Sequence, residues 1–80
     1  MRLLDEDLLI RFVKSTNRSK AQTNFLFELC DGDFQKLVLL EEKIKNNFLS
    51  YCPKNKDEVE NILNMEDEAG WFNLDEYKNI

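Results

Sequence analysis

The strongest helical pattern in this chain lies in residues 33–50, DFQKLVLLEEKIKNNFLS. Apolar residues recur there, and just beyond, at every third or fourth position: Leu37, Leu40, Ile44, Phe48 and Tyr51. This spacing places them on one face of an α-helix, and leucine, glutamate and lysine are good helix formers. We therefore predict a helix over residues 33–50, which Pro53 ends.

Two shorter helices are predicted upstream of this one. Asp5 is a suitable N-cap for a helix over residues 5–15, because its carboxylate can accept hydrogen bonds from the free amides of the first turn. Ser19 can cap a second helix, and Gly32 can end it by adopting the left-handed conformation. The apolar face of the first helix comprises Leu8, Leu9, Phe12 and Val13, and that of the second comprises Ala21, Phe25, Leu26, Leu29 and Cys30.

Residues 24–40 also fit a different local structure. Two runs rich in apolar residues, NFLFEL and FQKLVL, flank Asp31 and Gly32, a dipeptide typical of two-residue hairpin turns. An α+β fold with a hairpin at this turn is therefore the alternative to an all-helical one.

A further helix is predicted after Pro53. Asn55 and Glu58 have the spacing of a capping box, in which each side chain bonds the other's backbone amide. The helical pattern then continues to Gly70 through Val59, Ile62, Leu63, Glu66 and Ala69.

A short last helix is predicted over residues 74–79. Asn73 and Glu76 repeat the capping-box spacing, and Phe72 and Tyr77 flank it as a hydrophobic staple. The predicted fold is all-α, a compact bundle of about four helices with a short C-terminal helix, forming a single domain over residues 1–80.

Composition predicts a cytoplasmic protein without cofactors. The chain has 42% hydrophobic and 34% charged residues, and it contains neither a signal-peptide core nor an apolar run long enough to span a membrane. Cys30 and Cys52 are expected to stay reduced, and two cysteines without histidine do not complete an ordinary zinc site. Abundant asparagine and lysine, with alanine only at Ala21 and Ala69, favour an AT-rich source such as a low-GC bacterium or its phages.

The sequence also argues against catalysis. It has no histidine, so the commonest general base and the usual activator of serine or cysteine nucleophiles are missing. Its two glycines lie far apart, so no glycine-rich loop can hold a phosphate. We expect a binding protein and not an enzyme.

Charge is distributed unevenly along the chain. Residues 1–56 contain ten basic and eight acidic residues, whereas residues 57–80 contain one basic and eight acidic residues. The acidic end favours docking on the basic surface of another protein, including a nucleic-acid-binding protein, and the net charge of −5 disfavours direct binding to nucleic acid. An ordinary solvated helix face, or internal pairing with the basic residues at 11, 14, 18 and 20, is the alternative interpretation.

Aromatic residues complete the candidate partner-binding surface. Trp71 and Phe72 lie beside the acidic residues, where buried aromatic side chains commonly anchor an interface. Phe25, Leu26 and Phe27 cover more than half of a helix circumference, so we assign Phe25 to the core and treat Phe27 and Ile10 as open. The predicted partner-binding residues are Asp57, Glu58, Glu60, Glu66, Asp67, Glu68, Trp71, Phe72 and Phe27.

The N-terminal part of the chain resembles known small bacterial proteins. MRLLDEDLLI, followed by Lys14, Thr16 and a second helix with Phe25, Leu26, Glu28 and Leu29, is similar to the Sda-like helical-hairpin inhibitors of sporulation histidine kinases. The opening also resembles a group of small phage proteins with a Leu-Ile-Asp-Ala-Asp-type start. The first resemblance, which covers about residues 1–29, implies a hairpin that binds the dimerisation domain of a kinase, with Leu8, Leu9 and Phe25 near the contact.

Together these features predict a small inhibitor or adaptor, encoded by a phage or mobile element, that binds a host bacterial protein. A self-assembling helical subunit that forms a homodimer is one alternative. A DNA-binding regulator that uses the basic residues of the first two helices is another.

Overall fold

The computed structural model describes residues 3–66, and this part of the chain consists of α-helices joined by short connections. The helices in it are α1 (Glu6–Thr16), α2 (Lys20–Leu29), α3 (Phe34–Asn46) and α4 (Lys56–Leu63). No strand occurs between residues 3 and 66. The predicted all-α fold is confirmed, and the hairpin alternative is wrong. No helix in the described part is long and apolar enough to cross a membrane.

α1 and α2 begin at the predicted caps, and α3 begins at a further cap, Asp33. The Asp5 carboxylate accepts a hydrogen bond from the Asp7 amide at 3.0 Å. Ser19 forms a complete capping box with Gln22 at the start of α2, and Asp33 accepts bonds from two amides of the first turn of α3. These side chains satisfy amides that have no partner within the helix itself.

The turn between α2 and α3 replaces the predicted hairpin. Asp31 and Gly32 both have positive φ angles, 59° and 73°. The Gly32 amide donates to the Phe27 carbonyl at 3.0 Å and the Asp31 amide donates to the Glu28 carbonyl at 3.0 Å, which is the bonding of a Schellman motif. The left-handed residue that ends the helix is therefore Asp31, with Gly32 following it.

The predicted length of α3 is wrong at its C-terminal end. The helix covers Phe34–Asn46 and not residues 33–50, so it ends well before Pro53. Its apolar periodicity continues past the end of the helix, and the last two members of the series, Phe48 and Tyr51, are exposed. The apolar periodicity therefore does not mark where α3 ends.

The helix α4 also ends earlier than predicted. It stops at Leu63, where the Met65 amide donates back to the Ile62 carbonyl at 3.1 Å. The prediction that this helix continues through Glu66 to Gly70 is wrong, because Glu66 already lies outside it. The short helix predicted over residues 74–79 lies outside the described residues.

The core is built around α3, which is buried on most of its circumference. α1 packs on α2, α3 packs on α4, and α2 also contacts α3. The rings of Phe12 and Phe34, 5.9 Å apart in an edge-on arrangement, join α1 to α3. The buried apolar residues are Leu4, Leu9, Phe12, Leu26, Phe27, Cys30, Leu37, Val38, Leu40, Ile44, Val59 and Ile62.

The last described helix runs parallel to α3. Three lysine contacts connect the two segments: Lys56 Nζ to Asp31 Oδ1, Lys36 Nζ to Glu60 Oε1, and Lys43 Nζ to the Met65 carbonyl. Residues 31, 36 and 43 thus meet residues 56, 60 and 65 in the same order. The connection over residues 47–55 must therefore return along α3 from its C-terminal end to its N-terminal end.

Candidate interaction surface

The acidic residues of α4 fall into two groups. Asp57 and Glu60 are both exposed, and their spacing of three places them on one face of the helix. Glu60 is already paired with Lys36 at 2.8 Å, so its charge is partly neutralised within the chain. For Glu60, the structure supports the alternative in which the acidic residue pairs within the chain. Its partner Lys36 belongs to α3, however, and is not one of the basic residues of the first two helices.

Glu58 has a structural role at the start of α4. Its Oε2 atom accepts a hydrogen bond from the Lys54 amide at 2.6 Å, and its own amide donates to Asn55 Oδ1 at 2.9 Å. The predicted capping box is thus only half correct. Asn55 bonds the Glu58 amide as predicted, but the Glu58 carboxylate bonds the amide of Lys54 and not that of Asn55. Glu58 is half-buried and less suited to partner contact than its neighbours.

The remaining predicted partner residues are in different places. Glu66 is exposed beyond the end of α4. The other four predicted residues of the acidic end, Asp67, Glu68, Trp71 and Phe72, lie outside the described residues.

The phenylalanines of α2 have the opposite positions to those predicted. Phe27 is only 9% exposed and belongs to the core, whereas Phe25 is 38% exposed. The inward face of α2 is set by Thr23, Leu26 and Cys30, which have helical spacing, and Phe27 lies one position from Leu26 on that face. The assignment of Phe27 to a partner surface is wrong, and so is the assignment of Phe25 to the core.

Among residues 3–66, the most exposed aromatic side chains lie in a segment that the sequence did not single out. We call residues 47–55, which join α3 to α4, the aromatic connection. It contains Phe48, which is 62% exposed, and Tyr51, which is 51% exposed. Single exposed apolar residues are normal, but two exposed aromatic residues within one short connection are less so, and this segment is therefore the strongest candidate within residues 3–66 for contact with a partner.

Phe48 has a strained backbone conformation. Its φ angle is 55°, in the left-handed region that glycine normally occupies at a helix end. The Leu49 amide donates to the Ile44 carbonyl at 3.0 Å and the Phe48 amide donates to the Lys45 carbonyl at 3.2 Å, which again is a Schellman motif. A bulky residue with positive φ is a genuine outlier, and such outliers cluster at functional positions.

The aromatic connection is anchored to the core. Leu49 and Cys52 pack against it, and Pro53 is buried. The amide group of Asn47 is fixed by its bond from Nδ2 to the Lys43 carbonyl at 3.0 Å. These residues hold the segment in place while Phe48 and Tyr51 stay exposed, which lowers the entropy cost of binding a partner.

A buried ion pair lies beneath this connection. Arg18 Nε is 2.8 Å from one carboxylate oxygen of Glu41 and 3.0 Å from the other, with side chains 15% and 0% exposed. Burial raises the pKa of the Glu41 carboxyl, and the Arg18 guanidinium offsets part of that increase. Burial also raises the pKa of the Cys52 thiol, while Arg18 opposes this and Glu41 and Glu58 add to it. Cys52 is therefore within electrostatic range of the ion pair.

Neither cysteine is set up as a nucleophile. Burial raises the pKa of the Cys30 thiol to about 12, with Lys36 opposing the shift. A reactive cysteine needs a lowered pKa, because the thiolate is the nucleophile. Among residues 3–66 no group of three or more histidine, cysteine or acidic side chains is arranged to hold a metal ion.

The four basic residues of the first two helices, at positions 11, 14, 18 and 20, have different surroundings in the structure. Arg18 is turned inward to Glu41, and Lys20 pairs with Glu6 at 2.9 Å on the surface. Arg11 and Lys14 are exposed on α1. The continuous basic surface that a DNA-binding regulator would need is therefore not formed by these four residues.

A different basic segment includes the aromatic connection. Residues 43–56, KIKNNFLSYCPKNK, contain four lysines and no acidic residue. It is visible in the sequence as an acid-free interval between Glu42 and Asp57.

Phe48→Gly is expected to stabilise the protein by about 0.5–1 kcal/mol, because glycine removes the clash of a Cβ atom in the left-handed conformation. Urea unfolding at low protein concentration measures the change. Phe48→Ala is the matched control, since it removes the ring but keeps the Cβ atom, and it should gain little. A loss of stability in the glycine variant would show that the ring contributes to the fold.

Comparison of this chain with models of protein families, with curated proteins and with solved structures found no match.

Proposed function

We propose that this chain is a small non-enzymatic protein that binds a host bacterial protein and inhibits or adapts it, and that a phage or mobile element encodes it. The observation that carries the proposal is the exposed composition of residues 48–66. Two large aromatic side chains, Phe48 and Tyr51, precede a helix that exposes the carboxylate of Asp57, with Glu66 exposed beyond its end. Aromatic anchors beside charged residues are typical of protein interfaces.

The support for this surface comes from its rigidity as well as its composition. The lysine contacts from 36, 43 and 56 hold the segment containing α4 beside α3, and the aromatic connection is anchored by its buried residues. A pre-ordered surface loses less entropy on binding than a mobile one. The acidic residues contribute mainly to the association rate and to the choice of a basic partner.

The role of the acidic face is tested by Asp57→Lys combined with Glu66→Lys. Both residues are exposed, and we expect the variant to retain less host protein than the parent chain in affinity capture from a low-GC bacterial lysate. The loss should be greatest at low salt, because exposed charges are screened as ionic strength rises.

The matched control is Asp7→Lys. Asp7 is an exposed acidic residue in the first turn of α1, as Asp57 is in the first turn of α4. Equal capture by the Asp57/Glu66 variant and the parent chain would remove the acidic face from the proposal. Asp57→Lys alone makes the same change in net charge as Asp7→Lys, so an equal loss in these two single variants would reduce the effect to net charge alone.

A histidine kinase is the second candidate partner, and one observation favours it. Phe25, which the resemblance to Sda-like inhibitors implies is near the kinase contact, is exposed on α2. Leu8 is half-buried and Leu9 is in the core, so Phe25 would make most of the apolar contact. Loss of kinase binding in a Phe25→Ser variant, with retention in Phe48→Ser, would support this candidate over the first.

A further inference from the structure

The exposed residues of the candidate surface lie at two ends of α3. This helix has 13 residues and is therefore about 20 Å long. Because α4 runs parallel to it, Asp57 lies near the N-terminal end of α3, where Lys56 bonds Asp31. Phe48 follows the C-terminal end of α3, and its amide donates to the Lys45 carbonyl at 3.2 Å. Most of the length of α3 therefore separates Asp57 from Phe48.

Lys43 joins the turn that carries Phe48 to the end of α4. Its carbonyl accepts hydrogen bonds from the backbone amide and from Nδ2 of Asn47, both at 3.0 Å, and Phe48 is the next residue. Its Nζ atom donates to the Met65 carbonyl at 2.6 Å, and Glu66 is the next residue. Phe48 and Glu66 are both exposed. One lysine therefore places an exposed ring and an exposed carboxylate at the same end of the molecule.

The other charged groups at this end face the interior of the chain. The ammonium group of the joining lysine is bonded to a backbone carbonyl. Lys45 is half-buried and lies within electrostatic range of the buried Glu41, and Glu42 is buried. Glu66 belongs to none of the ion pairs among residues 3–66, and it is the first of three consecutive acidic residues in the sequence. Its carboxylate is therefore the charge that a partner meets beside Phe48.

We propose that Phe48 and Glu66 form one contact point for the host protein, in which an apolar pocket of the partner takes the ring and a lysine or arginine beside that pocket pairs with the carboxylate. Lys43 is the positioning residue of this contact point, and Asp57 is not part of it. The inference rests on the proposed function and names the chemistry of the partner's surface. A buried aromatic anchor supplies affinity, and a charge beside it selects the partner.

The chemistry of the partner is tested with a synthetic amphipathic helix of about 18 residues that has leucine on one face and lysine on the other. In fluorescence anisotropy, the full-length parent chain should bind this peptide at least about 10-fold more tightly than the same peptide with glutamate in place of lysine. Phe48→Ser and Glu66→Lys should each weaken binding about 10-fold. Circular dichroism checks that each variant is folded.

The matched control for Glu66→Lys is Asp57→Lys. Both residues are exposed, and the two substitutions make the same change in net charge at different ends of α3. Asp57→Lys should weaken binding of the lysine peptide less than about 3-fold, because it acts only through the general charge of the chain.

The positioning role of Lys43 is tested by Lys43→Met, which keeps the backbone carbonyl at this position and removes the bond from Nζ to Met65. In the parent chain the effects of Phe48→Ser and Glu66→Lys should depart from additivity by about 5-fold, and in the Lys43→Met background they should add. Lys36→Met removes a different lysine contact between the same two helices and should keep the coupling. A variant that only lost stability would bind more weakly without changing the coupling.

Five results would overturn the proposal. The lysine peptide could fail to bind at about 1 mM, or the glutamate peptide could bind as tightly. Asp57→Lys could weaken binding as much as Glu66→Lys, or the effects of Phe48→Ser and Glu66→Lys could add in the parent chain. Self-association of the parent chain in sedimentation equilibrium, abolished by Phe48→Ser, would assign the ring to a second copy instead.

Capture of a host protein from the bacterial lysate is scored separately from peptide binding. Capture by a chain that does not bind the lysine peptide would remove the partner chemistry stated here and leave the proposed function standing. Peptide binding at Phe48 and Glu66 without capture of any host protein would do the reverse.

Discussion

Arg18→Met is expected to destabilise the protein by about 3–5 kcal/mol at pH near 7, because it leaves the buried carboxylate of Glu41 without its partner. The Glu41 side chain is fully buried and accepts two contacts from Arg18 Nε, at 2.8 and 3.0 Å. A domain of this size has a total stability of only about 5–10 kcal/mol. The variant should therefore be close to unfolding, as measured by urea titration with circular dichroism.

Two controls separate loss of the ion pair from loss of any surface charge. Lys20→Met removes a pair with Glu6 in which both side chains are more than half exposed, and it should change stability by less than about 0.5 kcal/mol. Arg18→Met combined with Glu41→Leu removes both buried charges and should recover most of the loss. If the double variant were as unstable as the single one, the packing of Arg18 and not its charge would be responsible.

The cost of Arg18→Met should depend on pH. Burial raises the folded-state pKa of Glu41 above its ordinary value of 4.5, so the folded state binds this proton more tightly than the unfolded state does. The resulting stability is fully present below pH 4.5 and is lost as pH rises through the folded-state pKa. Without Arg18 the pKa rises further, so the penalty should be largest near pH 7 and should shrink toward pH 4.5. A penalty that stays equal across this range would contradict the assignment to Glu41.

Helix starts were predictable because they depend on local chemistry. Asp5, Ser19 and Asn55 each bond an amide two or three residues ahead, and such contacts are encoded within one turn of sequence. Helix ends were less predictable. The residues with positive φ at the ends of α2 and α3 are Asp31 and Phe48, and neither is the glycine that normally marks an end.

The sequence alone does not predict which individual side chains are buried, because burial depends on how the helices pack against each other. The sequence of three consecutive apolar residues at 25–27 does not specify which side of α2 faces the core. In the structure α2 contacts both α1 and α3, so the inward arc includes Phe27 and excludes Phe25. The direction of α4 was equally hidden, because a connection of nine residues from 47 to 55 allows either a parallel or an antiparallel arrangement.

The sequence showed the acidic residues of the candidate surface but not its exposed aromatic residues. The acidic face was visible in the charge count, and Asp57 and Glu60 do share an exposed face. The pairing of Glu60 with Lys36 joins residues 24 positions apart, which no local pattern reveals. The periodicity places Phe48 and Tyr51, the exposed aromatic residues of the site, on the apolar face of a helix, but α3 ends before both of them.

Phe12→Ala is expected to destabilise the protein by about 3–5 kcal/mol, the usual cost of removing a fully buried phenylalanine ring. Phe12 has no exposed surface, and its ring packs edge-on against Phe34 at 5.9 Å, so its loss leaves a cavity between α1 and α3. Phe25→Ala is the matched control, because it makes the same substitution in a helix at an exposed position and should cost less than about 1 kcal/mol. Urea unfolding of both variants measures the difference. Equal losses would mean that Phe25 is in the core after all, whereas a large loss in Phe12→Ala alone would show that the ring joining α1 to α3 is part of the core.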